Sequence, residues 1–216
     1  MDDELIDGLQ NLVETTTAEA AIAEWWDLAG VSERPIFNYR FDHVREVVSL
    51  AQVLARDVGA DADVVTVAAW LHDLAKPGLG GVKNHAKVSA DMAEEYLRER
   101  GLDKEFIDRV SEAVSRHAGL TLDAPLETKE AQVVWEADKL VKLGIVGFVH
   151  FLLNTVRLTP DQSIRQMSHN LREFLPLAKQ IADSMHTDLA RELAQSRLDH
   201  LHAIAEMFSE ELGVNE

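Results

Sequence analysis

The feature that most constrains the fold is a series of long intervals in which apolar residues recur with a helical period. Only 11 glycines and 5 prolines interrupt the 216 residues. In the interval from about Asn38 to Val58, which Gly59 ends, one helical stripe is predicted to face the core. That stripe carries His43, Val47, Leu50, Ala51, Leu54 and Val58. The next interval, from Val64 to about Leu74, is apolar on nearly every side, as a central helix would be. The sequence therefore predicts an all-α bundle.

The breaks between these intervals divide the chain into three predicted regions. Residues 1–35 form an N-terminal helical arm, residues 36–160 form the core, and residues 161–216 form C-terminal helices that pack on the same domain. Within the core, the segment from Ala75 to Lys83 contains a proline and three glycines and must be a loop. The C-terminal helices have apolar faces that can either cover the core or pair with a second copy of the chain, so a homodimer is one expectation.

Three local patterns predict details of the two outer regions. Thr17 is a candidate N-cap for the second of two short acidic helices in the arm. Trp25 and Trp26 are predicted to dock the arm on the core. Thr159 followed by Pro160 is predicted to be the N-cap and the first position of a C-terminal helix.

Composition limits the chemistry and the partners. Lys and Arg total 21 against 38 for Asp and Glu, and the net charge of −17 repels nucleic acid and anionic membranes. The chain has no cysteine, so any metal must be held by imidazole and carboxylate. The first ten residues lack the pattern of a signal peptide, and the most apolar stretch, Gly144 to Leu153, is too short to span a bilayer. A cytoplasmic protein that binds neither nucleic acid nor membrane is expected.

Six polar residues in helical contexts are the candidates for chemistry. They are His43, His72, Asp73, His85, His117 and Asp138. His72 and Asp73 are adjacent where an apolar helix gives way to the loop, and an imidazole beside a carboxylate suits a divalent transition metal. Each residue also has an ordinary structural explanation. His72 is favoured at a helix C-terminus, His43 can be a core histidine, and Asp138 can pair with Lys142 four residues later.

Taken together, these residues resemble a known family. The matching segments are FDHVR at 41–45, LHDLAKP at 71–77 and EADKL at 136–140. A lone histidine, a His-Asp doublet before a Lys/Gly/Pro loop, and a distant aspartate resemble the HD-domain metal-dependent phosphohydrolase superfamily. The resemblance covers about residues 36–160. It implies an HD-domain-like helical bundle, to which this chain adds N- and C-terminal helices.

The resemblance also implies a set of metal ligands. It assigns a first metal ion to His43, His72, Asp73 and Asp138. The segments NHAKVSA at 84–90 and SRHA at 115–118 resemble the inserts of a two-metal subset, in which His85 and His117 would bind a second ion and Asp73 would bridge the two. One departure is that Ala118 follows His117 where some members have a second histidine, which leaves the second site weaker or completed by water. Iron, manganese, nickel, cobalt, magnesium and zinc all suit these ligands.

The implied activity is hydrolysis of a nucleotide or another small phosphate ester. Attack by a metal-bound hydroxide would have Asp73 orienting the ions and Lys76 countering the charge of the phosphate. Lys76 matches a lysine that often follows the doublet in this superfamily, and its alternative is a solvated loop lysine. The leading interpretation is a two-metal phosphohydrolase. The alternatives are a one-metal nucleoside monophosphate phosphatase, in which His85 and His117 only line the pocket, and a non-catalytic helical sensor or binding module.

Overall fold

A computed structural model describes residues 2–29, 35–80 and 82–213. Within these ranges the chain forms nine α-helices and no β-strand, which confirms the predicted all-α fold. The helices are α1 (Asp3–Ala29), α2 (Tyr39–Val58), α3 (Ala62–Leu71), α4 (His85–Glu99), α5 (Lys104–Arg116), α6 (Lys129–Leu140), α7 (Gly144–Leu158), α8 (Ile164–Asp183) and α9 (Asp188–Glu211).

The chain divides into two compact units. The first comprises Met1–Gly119 and Pro125–Asp138. Its centre is α3, in which every residue from 64 to 71 is buried and against which α1, α2, α4 and α5 all pack. A helix that is apolar all round must be covered on every side to remove its surface from water, and this position provides that cover.

Side chains and backbone geometry fix the ends of the helices that lead to the His-Asp doublet. The Asn38 side chain accepts a hydrogen bond from the Phe41 amide at the start of α2, and Gly59 ends that helix with a left-handed φ of 65°. Asp61 caps the start of α3. That helix ends at Leu71, three residues before the predicted Leu74, because the chain turns through residues 72–75. The doublet therefore lies in a turn rather than within a helix.

The second unit comprises Leu120–Ala124 and Lys139–Glu216, and in it α9 packs against α7 and α8. The predicted helix start at Thr159 and Pro160 is wrong, because both residues lie outside helix and α8 begins at Ile164. Ser163 is the N-cap instead. Its hydroxyl accepts a hydrogen bond from the Gln166 amide, and the Gln166 side chain accepts one from the Ser163 amide, which forms a complete capping box.

The structure of the N-terminal arm differs from three further expectations. It is a single helix, α1, rather than two, and Thr17 does not cap a helix start, because its hydroxyl donates to the Val13 carbonyl at 2.6 Å within the continuing helix. Trp25 is buried as predicted, and its indole Nε1 donates to the Phe37 carbonyl at 3.0 Å. Trp26 is 48% exposed and does not dock.

None of the described helices is by itself both long enough and apolar enough to cross a membrane. The consecutive helices α6 and α7 pass that test only together, as a bent pair, by length and composition.

Candidate metal centre

All six candidate ligands belong to the first unit, and most of them lie where a helix begins or ends. His72 is the C-cap of α3 and Asp73 follows it in the turn. His85 is the first residue of α4, and His117 is the C-cap of α5. The other two candidates lie in the first turn or two of α2 (His43) and near the end of α6 (Asp138). Side chains at helix ends can turn toward a common point that side chains along one helix face cannot all reach.

One group of possible ligands surrounds the Oδ2 atom of Asp73. His43, His72 and Asp73 each offer a ligand atom, and these atoms all lie within 4.8 Å of one another. The Nε2 atoms of His43 and His72 are 3.9 and 3.6 Å from Asp73 Oδ2. Asp138 lies at the edge of the group, with its Oδ1 3.1 Å from His43 Nε2. All four side chains are buried.

A second group surrounds the other carboxylate oxygen, Oδ1, of the same aspartate. The Nε2 atoms of His85 and His117 are 3.7 and 3.5 Å from Asp73 Oδ1. These three residues also have ligand atoms within 4.8 Å of one another. His117 is buried, whereas the His85 side chain is 27% exposed. Asp73 therefore presents one oxygen to each of two histidine pairs.

The protonation of two imidazoles is fixed by the ends of their own helices. His72 Nδ1 lies 2.7 Å from the Ala69 carbonyl and His117 Nδ1 lies 2.6 Å from the Val114 carbonyl. A carbonyl only accepts, so Nδ1 donates in both residues, and Nε2 of each neutral ring carries the lone pair. Among the described residues, none forms a hydrogen bond with the buried Nε2 of His72. A lone pair that faces a carboxylate in a closed pocket fits a divalent cation.

Burial and charge set the ionisation of the centre. The pKa of His72 is lowered from 6.5 to about 4, chiefly by burial; Asp73 opposes this shift, and neighbouring His117 contributes to it. Burial works against the charged form of Asp73. The guanidinium of Arg40, followed by the nearby histidines, outweighs this effect and holds the pKa of Asp73 well below 3.8. At neutral pH His72 is therefore uncharged and Asp73 is ionised, which are the forms that bind metals.

Arg40 is a member of this centre that the sequence analysis missed. Its Nη1 donates to Asp73 Oδ2, and its side chain is almost completely buried. Arg40 lies three residues before His43 on α2, so the two share a helix face. The available signal was therefore a cation on the same stripe as the first histidine. Tyr39, the preceding residue, stacks on the His43 ring at 5.8 Å between centroids, and burial raises the pKa of its phenol.

Lys76 lies in the loop that follows the doublet and is partly exposed. Its backbone amide donates to the Asp73 carbonyl at 2.8 Å, which closes a turn between the two residues. The loop is further attached to α4, because the Ala75 amide donates to the Ser89 hydroxyl at 3.0 Å. The structure thus places Lys76 one turn beyond the shared aspartate, and its role toward a phosphate stays a prediction.

Comparison with known proteins identifies the domain that carries this centre. Residues 40–143 match the family model of the HD domain, a range that contains all six candidate ligands. The chain carries an HD domain. This result confirms the predicted HD domain and the HD-domain-like bundle, and α1, α7, α8 and α9 lie outside the range matched by the HD domain.

Several proteins resemble the chain over a larger part of its length. It is 29% identical over 165 residues to the uncharacterised Bacillus subtilis protein YpgQ, which covers 74% of this chain and 78% of YpgQ. The crystal structure of YpgQ in complex with ADP has a TM-score of 0.68 at 20% identity, over 97% of this chain and 99% of that one. A predicted HD superfamily hydrolase from an uncultured Thermotogales bacterium has a TM-score of 0.64 at 20% identity, over 98% and 99% of the two chains.

A further relative shares only a segment. The chain is 35% identical over 108 residues to the tRNA (cytidine(56)-2'-O)-methyltransferase of Thermoplasma volcanium. This match covers 50% of the chain but only 25% of the methyltransferase. The shared segment is thus a quarter of that protein. At these levels of identity the solved structures show that the fold is shared.

Proposed function

We propose that this protein is a metal-dependent phosphohydrolase that hydrolyses a nucleotide or another small phosphate ester, and that two divalent ions share Asp73. The observation that carries the proposal is the division of the Asp73 carboxylate, whose two oxygens face two separate pairs of histidines. Two cations bridged by one carboxylate suit phosphate ester hydrolysis, since they can act on the attacking and leaving oxygens together. The ADP bound to the related YpgQ crystal structure supports a nucleotide as the substrate class.

The residues of the chain would prepare this centre in three ways. His72 and His117 would be held by their own helix carbonyls with Nε2 directed at Asp73. The neutral state of His72 means that it has no proton to release at neutral pH before binding a cation. Arg40 would hold Asp73 from the side of Oδ2. When bound, a divalent cation would supply Lewis acidity toward phosphoryl oxygens and would lower the pKa of water.

The site must also receive an anion on a protein whose net charge is −17. Long-range electrostatics therefore oppose the approach of a phosphate ester, and local cations must reverse this effect. Arg40 and Lys76 are the basic side chains of this chain that we assign to that task, Arg40 at the aspartate and Lys76 in the loop beside it. The bound cations would add to their positive charge.

A phosphatase screen tests the proposal. Purified protein supplied with Mn²⁺ would be assayed against mononucleotides, nucleoside di- and triphosphates, cyclic nucleotides and simple phosphomonoesters. We expect hydrolysis of at least one class, and a loss of about 1000-fold in kcat/KM for Asp73→Asn, which keeps the shape of the side chain but removes its charge. Lys76→Ala should raise KM about tenfold. Lys104 is an exposed lysine at the start of α5, so Lys104→Ala should change neither KM nor kcat/KM. A protein that binds metal but hydrolyses nothing in the panel would favour the non-catalytic binding module and overturn the proposal.

A further inference from the structure

One peptide unit in the loop after the doublet is held on both sides by charged side chains. The amide of Leu79 donates to Oε1 of Glu24 on α1 at 2.5 Å. The carbonyl of Gly78, which belongs to the same peptide unit, accepts from Nη2 of Arg40 on α2 at 3.3 Å. Loop backbone in this position would otherwise be solvated by water and free to move. Glu24 and Arg40 thus act as a clamp on the peptide between Gly78 and Leu79.

The clamp continues into the metal centre. While Nη2 of Arg40 donates to the loop, Nη1 of the same guanidinium donates to Asp73 Oδ2. A guanidinium is a rigid planar fork, so fixing one of its nitrogens also fixes the direction of the other. Hydrogen bonds therefore run without a break from Glu24, through the loop peptide and Arg40, to the shared carboxylate.

The residue at position 78 fits this interpretation. A Cβ atom at Gly78 would overlap the Glu24 carboxylate and would lie 3.5 Å from the Cβ of Ala20. Any larger residue at position 78 would displace the Glu24 carboxylate from its place beside the Leu79 amide. The sequence therefore carries a small residue at the point where the acceptor from α1 reaches the loop.

We propose that Glu24 is a positioning residue for the loop that carries Lys76, and that α1 is for this reason part of the functional site. Glu24 lies outside residues 40–143, the range matched by the HD domain. The inference rests on the proposed function in one respect, because it takes Lys76 to be the group that meets the phosphate. Glu24 acts through the peptide and does not itself touch a substrate.

Amide hydrogen exchange on the full chain in the presence of Mn²⁺ tests the clamp without any assay of activity. Glu24→Ala should raise the exchange of residues 74–80 about tenfold, the effect of losing one hydrogen bond to a charged acceptor. Glu24→Gln keeps an acceptor oxygen and should restore most of the protection. Glu19→Ala removes an exposed glutamate of the same helix and should leave the loop unchanged. If Glu24→Ala does not fold, Glu24→Gln still tests the clamp. A neutral acceptor binds the Leu79 amide less strongly, so Glu24→Gln should raise the exchange of residues 74–80 slightly, and Glu19→Gln should not raise it.

A double-mutant cycle tests the link to Lys76. The affinity of the Mn²⁺-supplied protein for inorganic phosphate would be measured by calorimetry for Glu24→Ala, Lys76→Ala and the double variant. We expect each single change to weaken phosphate binding about tenfold and the double change to add little to Lys76→Ala alone, because the two residues act as one unit. A merely structural role for Glu24 would give effects that multiply.

The two proposals can fail separately. Equal loop exchange in Glu24→Ala and Glu19→Ala, or independent effects of Glu24 and Lys76 on phosphate affinity, would overturn the positioning role. If the wild-type protein neither binds phosphate nor hydrolyses a phosphate ester, the proposed function fails, together with the part assigned to Lys76. The exchange experiment then decides by itself whether Glu24 holds the loop.

Discussion

The two sides of Asp73 differ in their access to water. On the side of Oδ2, His43, His72 and Arg40 are all buried. On the side of Oδ1, His117 is buried but the His85 side chain is 27% exposed. The two histidine pairs lie at similar distances from the carboxylate, so burial rather than geometry separates them.

This difference has a physical consequence for binding. We call the buried Oδ2 side the closed side and the partly exposed Oδ1 side the open side. A ligand lost from the closed side leaves buried polar groups without a partner, which costs free energy. A ligand lost from the open side can be replaced by water, which is itself a ligand of divalent cations. We therefore expect the closed side to hold its ion more tightly and the open side to be the one at which ligands exchange.

The largest expected effect compares one histidine from each side. His72→Gln should lower kcat/KM for the best substrate about 1000-fold, because the buried group loses an imidazole that water cannot easily replace. His85→Gln should lower it only about tenfold, because water can enter at the exposed position. His202 is an exposed histidine on α9, so His202→Gln serves as the control and should leave kcat/KM unchanged. Equal losses for His72→Gln and His85→Gln would show that burial does not separate the two sides.

A smaller effect concerns the stability of the metal-free protein in acid. The pKa of His72 is about 4 in the folded protein, whereas the ordinary value of 6.5 applies to the unfolded chain. Between pH 4 and pH 6.5, therefore, the unfolded chain takes up a proton at this histidine and the folded protein does not. The free energy of unfolding should therefore fall as the pH falls from 6.5 to 4, by up to roughly 3 kcal/mol. Denaturant titrations at several pH values in the presence of a chelator measure this slope. His72→Gln should flatten it and His202→Gln should not. Parallel slopes for wild type and His72→Gln would contradict the burial assigned to the closed side.

The smallest effect comes from charges outside the centre and sets the scale for exposed pairs. Arg109 lies 2.8 Å from Asp61 and 3.1 Å from Glu130, but its side chain is 41% exposed. Arg109→Ala should lower the free energy of unfolding by about 1 kcal/mol or less, and high salt should reduce the difference. Denaturant titrations at low and high salt check this expectation. If Arg109→Ala lowered the free energy of unfolding as much as the change predicted for buried His72, exposure to water would not determine how much a charged group contributes to stability.

The fold and the candidate ligands were predictable from the sequence because their signals are local. Helical periodicity is visible within each interval, and the His-Asp doublet consists of two adjacent residues next to a loop that its glycines mark. The capping box at Ser163 and Gln166 was equally local, but the pair at Thr159 and Pro160 presented a competing pattern. The single helix α1 was missed because a threonine can serve either as a cap or as a helix residue that bonds to its own carbonyls.

The surroundings of the ligands were not predictable in the same way. Glu24 and Leu79 are 55 residues apart in sequence, and Arg40 and Asp73 are 33 apart. Neither contact has a local signature, because each depends on how α1 and α2 pack beside the loop. The sequence therefore identifies which residue types can bind a metal. The packing decides which charged groups hold them in place.

The number of metal ions bound per chain tests the central claim, that Asp73 is shared by two sites. Equilibrium dialysis against Mn²⁺ followed by elemental analysis would be carried out on wild type, on the His85→Ala/His117→Ala double variant and on Asp73→Ala. The account predicts two ions for wild type, one for the double variant and none that is tightly held for Asp73→Ala. A single ion in wild type that the double variant retains would contradict it and would favour a one-metal nucleoside monophosphate phosphatase.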